Sequence, residues 1–148
     1  MPHELPPALR RMLELWNGEE IDPASVYAPG CRLNGGPATF DPPEVASEVA
    51  ALRAAFPDLR FTVEDGFRAG DRHVVRLRAA GRHTGTGFTT EIGTAAPTGA
   101  TIALRGIEVF EVVDDRIVDV WVGWDFAPLY AALGARFEPS QRGHGPRA

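Results

Sequence analysis

Hydrophobic positions recur at helical spacing in the first third of the chain and at alternating spacing in the rest. Leu9, Met12, Leu13 and Trp16 share one face of a helix that Asn17-Gly18 stops. Asp22-Pro23 reads as the cap and first residue of a second, short helix ending near Tyr27. Cys31 and Leu33 suggest a short strand. Asp41-Pro42-Pro43 opens a third helix with the stripe Val45, Val49, Leu52 and Phe56, closed by Pro57.

Beyond Pro57 the period becomes two. Leu59, Phe61, Val63 and Phe67 oppose Arg60, Thr62 and Glu64, and Ala69-Gly70-Asp71 forms a hairpin turn. The next strand places His73, Val75, Leu77, Ala79, Gly81 and His83 on one face and Arg76, Arg78 and Arg82 on the other. Thr84–Ala100 is a long Gly- and Thr-rich connection, of a length that in a compact domain is usually functional or disordered. A final hairpin turns at Asp114-Asp115. Its first strand lines up Ile102, Leu104, Gly106, Phe110 and Val112 with one carboxylate, Glu108. Its second strand sets Val118, Val120, Val122 and Trp124 against Ile117, Asp119, Trp121, Gly123 and Asp125, and a short helix follows. Helices first and antiparallel strands later make the chain α+β, with a conical pocket expected between helices and a curved sheet.

Composition narrows the function. The 148 residues fit one domain, with 44% hydrophobic and 24% charged residues. A net charge of −5 with no basic run longer than Arg10-Arg11 argues against a nucleic-acid partner. Every basic residue is Arg, which reflects GC-rich codons more than chemistry. The lone Cys31 excludes an internal disulfide. The Pro-interrupted N-terminus is unlike a signal peptide, and no apolar run reaches the ~20 residues of a membrane span, so a cytoplasmic protein without a membrane partner is expected. Residues 138–148 read as a loose polar tail.

Several side chains are candidates for chemistry, each with a structural alternative. Asp125, beside Trp124 where the last strand becomes a helix, is either a general base at an apolar sheet mouth or a helix N-cap. His83 ends an apolar face and either donates to a substrate carbonyl or is satisfied by backbone. Glu108 is a second pocket carboxylate if its face points inward and a surface charge otherwise. Trp16, Tyr27, Phe110, Trp121 and Trp124 either line an aromatic-ligand pocket or fill a core. No HExxH motif or Cys/His cluster implies a metal, and no Gly-rich motif implies a nucleotide cofactor. The serines Ser25, Ser47 and Ser140 stand in no nucleophile context.

Four segments, FPDLRFTVED, GDRHVVRLRAAGRHTG, PTGATIALRGIEVFEV and DRIVDVWVGWDFAPLYAALG, together resemble the SnoaL-like polyketide cyclases of the NTF2-like superfamily. The resemblance implies a single domain over residues 1–137, a cone-shaped fold with a curved antiparallel sheet packed on three N-terminal helices, and pairing of sheets into a homodimer or higher homo-oligomer. It implies ring closure of a hydrophobic polycyclic molecule by intramolecular aldol condensation, without metal or cofactor. The family's acid/base aspartate maps onto Asp125, with His83 polarising a carbonyl. Asn34 stands where many members carry histidine; an amide orients a carbonyl but exchanges no proton, and Asn34-Gly35-Gly36-Pro37 is equally a turn. An isomerase, hydroxylase or epoxide hydrolase on the same fold, and a non-catalytic small-molecule binder, remain alternatives. Glu108 facing Asp125 would favour the hydrolase; an outward Asp125 bonded to helix N–H groups would favour the binder.

Overall fold

The structure, a computed structural model, describes residues 4–34, 41–90 and 92–136. The expected tail from residue 138 lies outside them. Helix α1 (Pro7–Trp16) begins on a proline and buries Ala8, Leu9, Met12 and Leu15. The expected second helix is a single 3-10 turn, Pro23–Ser25. Asp22 accepts the Ala24 N–H there at 3.0 Å, and the chain has left the turn by Tyr27. Tyr27 opens strand β1 (Tyr27–Asn34), longer than the pair Cys31 and Leu33 suggested. Helix α2 (Pro42–Ala55) follows the Asp41 cap and buries Val45, Val49 and Ala55.

Strands β2 (Arg60–Ala69) and β3 (Arg72–Arg82) form the expected hairpin. The long connection after it carries a small hairpin of its own, β4 (Phe88–Thr90) with β5 (Gly93–Ala95). Strands β6 (Thr101–Val113) and β7 (Arg116–Trp124) lead to helix α3 (Ala127–Ala132). Asp114 and Asp115 turn between them with φ of 48° and 57°, a left-handed pair that aspartate tolerates and a two-residue hairpin requires.

The main sheet has the order β1-β7-β6-β3-β2. It is mixed, not wholly antiparallel, because β1 runs parallel to β7. Only α1 and α2 precede the long meander; the third α-helix is C-terminal. Within β2 one extra residue between Val63 and Asp65 shifts the register, and this reverses the side-chain alternation beyond it. Gly66 therefore faces in, toward Leu5 and Val75, and Phe67, expected inside with Phe61 and Val63, is 56% exposed on the convex side. Among the described residues no helix is long and apolar enough to cross a membrane.

Candidate functional site

The helices do not fill the concave face of the sheet. Between them lies a cavity of about 600 Å³, within the range of small-molecule sites. Its floor comes from the inward positions of β3, β6 and β7, and its walls from Met12, Leu13 and Trp16 of α1 and from Leu52 of α2. Phe56, Phe88, Phe126 and Leu129 close one end. Phe61 sits between two indoles, edge-on to Trp16 at 6.0 Å and to Trp124 at 5.9 Å. The Asn17 amide holds it there, accepting the Phe61 N–H at 2.8 Å and donating to its carbonyl at 3.0 Å, as a neighbouring strand would.

Glu108 is set in this floor, midway along β6 and flanked in register by Val75 and Val122. It keeps some solvent access through the cavity, yet apolar side chains enclose it, and burial pushes its carboxyl up to about 7. The opposing influence is one hydrogen bond: Trp124 Nε1 donates to Oε1 at 2.7 Å. Gly106 makes that bond possible. It pairs with Trp124 across the sheet, and a Cβ at Gly106 would collide with the indole, which lies flat on the β6 backbone. Two residues along the same face, Glu108 meets the edge of that ring. Oε2 has no protein donor among the described residues.

Tyr27 lines the same cavity and is buried. Its hydroxyl accepts from Trp16 Nε1 at 2.9 Å. Burial, with the charge of Glu108 as a smaller cause and the Trp16 bond opposing, holds the phenol far above its ordinary range, so it stays protonated and able to donate.

The structure brings together Glu108, Tyr27, Trp16, Phe110 and Trp124, and separates the other expected residues from them. Asp125 does not face the cavity. Strand alternation puts it on the opposite side from Trp124; it is exposed, and Oδ1 accepts the Ala127 N–H at 3.1 Å at the start of α3. Trp121 shares that convex face and is 52% exposed. Asn34 is also outside the cavity, donating to Asp119 Oδ1 at 2.5 Å and to the Val120 carbonyl at 3.1 Å.

His83 is buried behind the wall, not on it. It stacks on Phe56 at 4.8 Å, and Nε2 lies 2.8 Å from the Thr86 carbonyl, which fixes Nε2 as the donor. Nδ1 has no hydrogen-bond partner among the described residues. The loop beyond it caps α2, with Gly85 and Thr86 donating to the Ala55 and Ala54 carbonyls.

Phe61 and Leu52, read in sequence only as apolar-face positions, line the cavity, as does Glu48, which the sequence pattern did not single out. Glu48 is an ordinary helix-surface residue by pattern, one turn before Leu52, and only the placement of α2 over the cavity reveals it. Among the described residues, no three His, Cys, Asp or Glu side chains gather at metal-binding distance.

Solved structures of similar shape share this fold. IdmH, a proposed polyketide cyclase from Streptomyces antibioticus, is 26% identical with a TM-score of 0.67, covering 86% of this chain and 96% of its own. AclR, a proposed hydroxylase from Streptomyces galilaeus, is 21% identical with a TM-score of 0.71, covering 90% of this chain and 83% of its own. A protein of ketosteroid isomerase-like fold from Catenulispora acidiphila, in complex with trimethylamine, is 15% identical with a TM-score of 0.67, covering 92% of this chain and 100% of its own. No curated protein matches the chain in sequence. Residues 7–133, which hold the whole sheet and the cavity, match the SnoaL-like polyketide cyclases, and the chain belongs to that family.

Proposed function

We propose that the protein is a cofactor-independent, cytoplasmic acid/base enzyme of the polyketide-cyclase type, and that Glu108 is its acid/base group in place of Asp125. The observation that supports this is the position of Glu108: the one carboxylate in the cavity floor, with a pKa near 7, one oxygen held by Trp124 and the other open. The substrate is a hydrophobic polycyclic molecule, matched to the aromatic walls.

In an intramolecular aldol closure the Glu108 carboxylate takes a carbon-bound proton beside a substrate carbonyl. The resulting enolate carbon forms the new C–C bond to a second carbonyl carbon, and that carbonyl oxygen takes the proton back from Glu108. The carboxylate is regenerated and no electrons leave the substrate. The Tyr27 hydroxyl donates to the enolate oxygen as charge develops. An isomerase would share the first step. An epoxide hydrolase reading has lost its support, since Asp125 lies across the sheet from Glu108 and no Arg lines the cavity among the described residues.

The competing reading is a binder without turnover, which the outward Asp125, bonded to the first backbone N–H of α3, favours. Proton exchange into 2-tetralone, a bicyclic ketone with activated C–H bonds, separates the two. In deuterated buffer at pH 8 the wild type should accelerate deuterium incorporation, and Glu108→Gln should lose the acceleration by roughly 100-fold. Equal exchange by wild type and Glu108→Gln would remove Glu108 from the chemistry.

The protein also forms a homodimer through its convex sheet face. Cross-strand register aligns Phe67, Val74, Val109 and Trp121 in one row over four strands, with Ile107 beside it. Phe67, Ile107 and Trp121 are each more than half exposed, and the flanking pairs Arg72–Glu111 and Arg76–Glu64 present both signs of charge. A row of apolar groups with a mixed rim is self-complementary about a two-fold axis.

A further inference from the structure

The charged groups that line the cavity are Glu48 and Glu108, and among the described lining residues there is no Arg or His. This is not a matter of supply. The chain carries 15 basic residues, all Arg, and those on β3 and β6 point to the other side of the sheet. Glu48 is exposed and makes no ion pair or hydrogen bond among the described residues, so its charge is not neutralised by a neighbouring side chain. It sits one turn before Leu52 on the α2 face that borders the cavity, a surface otherwise apolar or aromatic.

We infer that Glu48 is a specificity-determining residue at the cavity rim, selecting neutral or cationic ligands and excluding those that carry a carboxylate. An anion entering this cavity loses its hydration, finds no cation to replace it, and meets the field of Glu48. A neutral ligand of the same shape meets only the aromatic walls. An ammonium group gains twice, from Glu48 and from the faces of the surrounding rings. The inference rests on the proposed function only in taking the cavity as the ligand site. It requires no turnover.

Anthracene-2-carboxamide, anthracene-2-carboxylate and protonated 2-(aminomethyl)anthracene share a ring system and differ in charge. Their affinities for the intact protein can be read from quenching of tryptophan fluorescence at fixed pH ~5.5, below the Glu108 midpoint of about 7, so that the floor carboxyl is protonated and does not itself select by charge. The wild type should bind the amide and the ammonium compound at least about tenfold more tightly than the carboxylate. Glu48→Gln should narrow that gap, and Glu48→Arg should reverse the order of carboxylate and ammonium. Glu14→Arg, on the exposed side of α1 and away from the cavity, changes the net charge equally and should leave the order intact.

Equal wild-type affinity for all three compounds, or an order unchanged in Glu48→Arg, would overturn charge selection and leave the acid/base reading standing. Absence of saturable binding for any of them would overturn the cavity as a ligand site, and both readings with it. Full proton exchange by Glu108→Gln with the charge order intact would remove only the acid/base reading.

Discussion

Trp124 and Glu108 form a hydrogen-bonded pair across β7 and β6, indole Nε1 to carboxyl Oε1 at 2.7 Å, over a glycine that leaves room for the ring. The bond draws the carboxyl pKa down while burial pushes it up, and burial wins. A carboxyl that titrates near neutrality can hold and release a proton under the conditions in which the protein works.

That balance carries a stability cost with a defined pH window. Glu108 is shifted from 4.5 to about 7 on folding, so the protonated form is the one the fold favours. Its contribution is intact below about 4.5 and declines as pH rises through 7, because the folded protein must then bind fewer protons than it prefers. Glu108→Gln removes the titration while its amide oxygen still accepts from Trp124. Chemical denaturation should show the variant more stable than the wild type by roughly 3 kcal/mol at pH 8, with the difference vanishing near pH 4.5. A pH-independent difference would mean that Glu108 titrates normally.

Removing the indole N–H tests the opposing influence. Trp124→Phe keeps an aromatic ring against Phe61 and deletes the donor that lowers the Glu108 pKa. The midpoint of the pH profile for proton exchange should therefore move upward from about 7. Gly106→Ala should act on the same pair through sterics, displacing the indole and destabilising the fold by about 1–3 kcal/mol in thermal unfolding. A downward shift in Trp124→Phe would contradict the bond.

The sequence carried the fold far and the site only partway. Alternation assigned the faces of β3, β6 and of β7 from Val120 to Trp124, but a register shift at Val118 turns Ile117, expected on the outer face, into the core. The order of elements with the Trp-Asp ending pointed to the family now established. What alternation could not supply was which face is concave. Trp124 and Asp125 are adjacent and must point to opposite sides, so a wet Asp125 and a cavity-lining Glu108 are two consequences of one choice. The bulge in β2 was equally hidden, since one extra residue leaves no mark in composition and reverses Phe67. Glu48 needed the tertiary placement of α2. The parallel pairing of β1 with β7 joins segments far apart in the chain, beyond the reach of local pattern.

Asp125 now carries a different expectation from Glu108. Its side chain accepts one backbone N–H at the entry to α3, so Asp125→Asn keeps an acceptor and should retain proton exchange and stability. Asp125→Ala should weaken the entry to α3 only slightly, by losing the acceptor of the Ala127 N–H, again with exchange retained. Loss of exchange in a folded Asp125→Asn protein would restore this residue to the chemistry and displace Glu108.

The convex face makes the last prediction. Trp121 is over half exposed in a row with Val109 and Val74, an arrangement that favours covering by another apolar surface. Two copies related by a two-fold axis would bury both rows and set Arg76 and Arg72 of one against the acidic rim of the other. Light scattering at micromolar concentration should give twice the chain mass for the wild type and the single-chain mass for Trp121→Arg. Because Trp121 and the cavity lie on opposite faces of the sheet, the Trp121→Arg monomer should still bind anthracene-2-carboxamide. A wild-type monomer would leave the exposed row unexplained by self-association, and a dimer unchanged by Trp121→Arg would move the interface elsewhere.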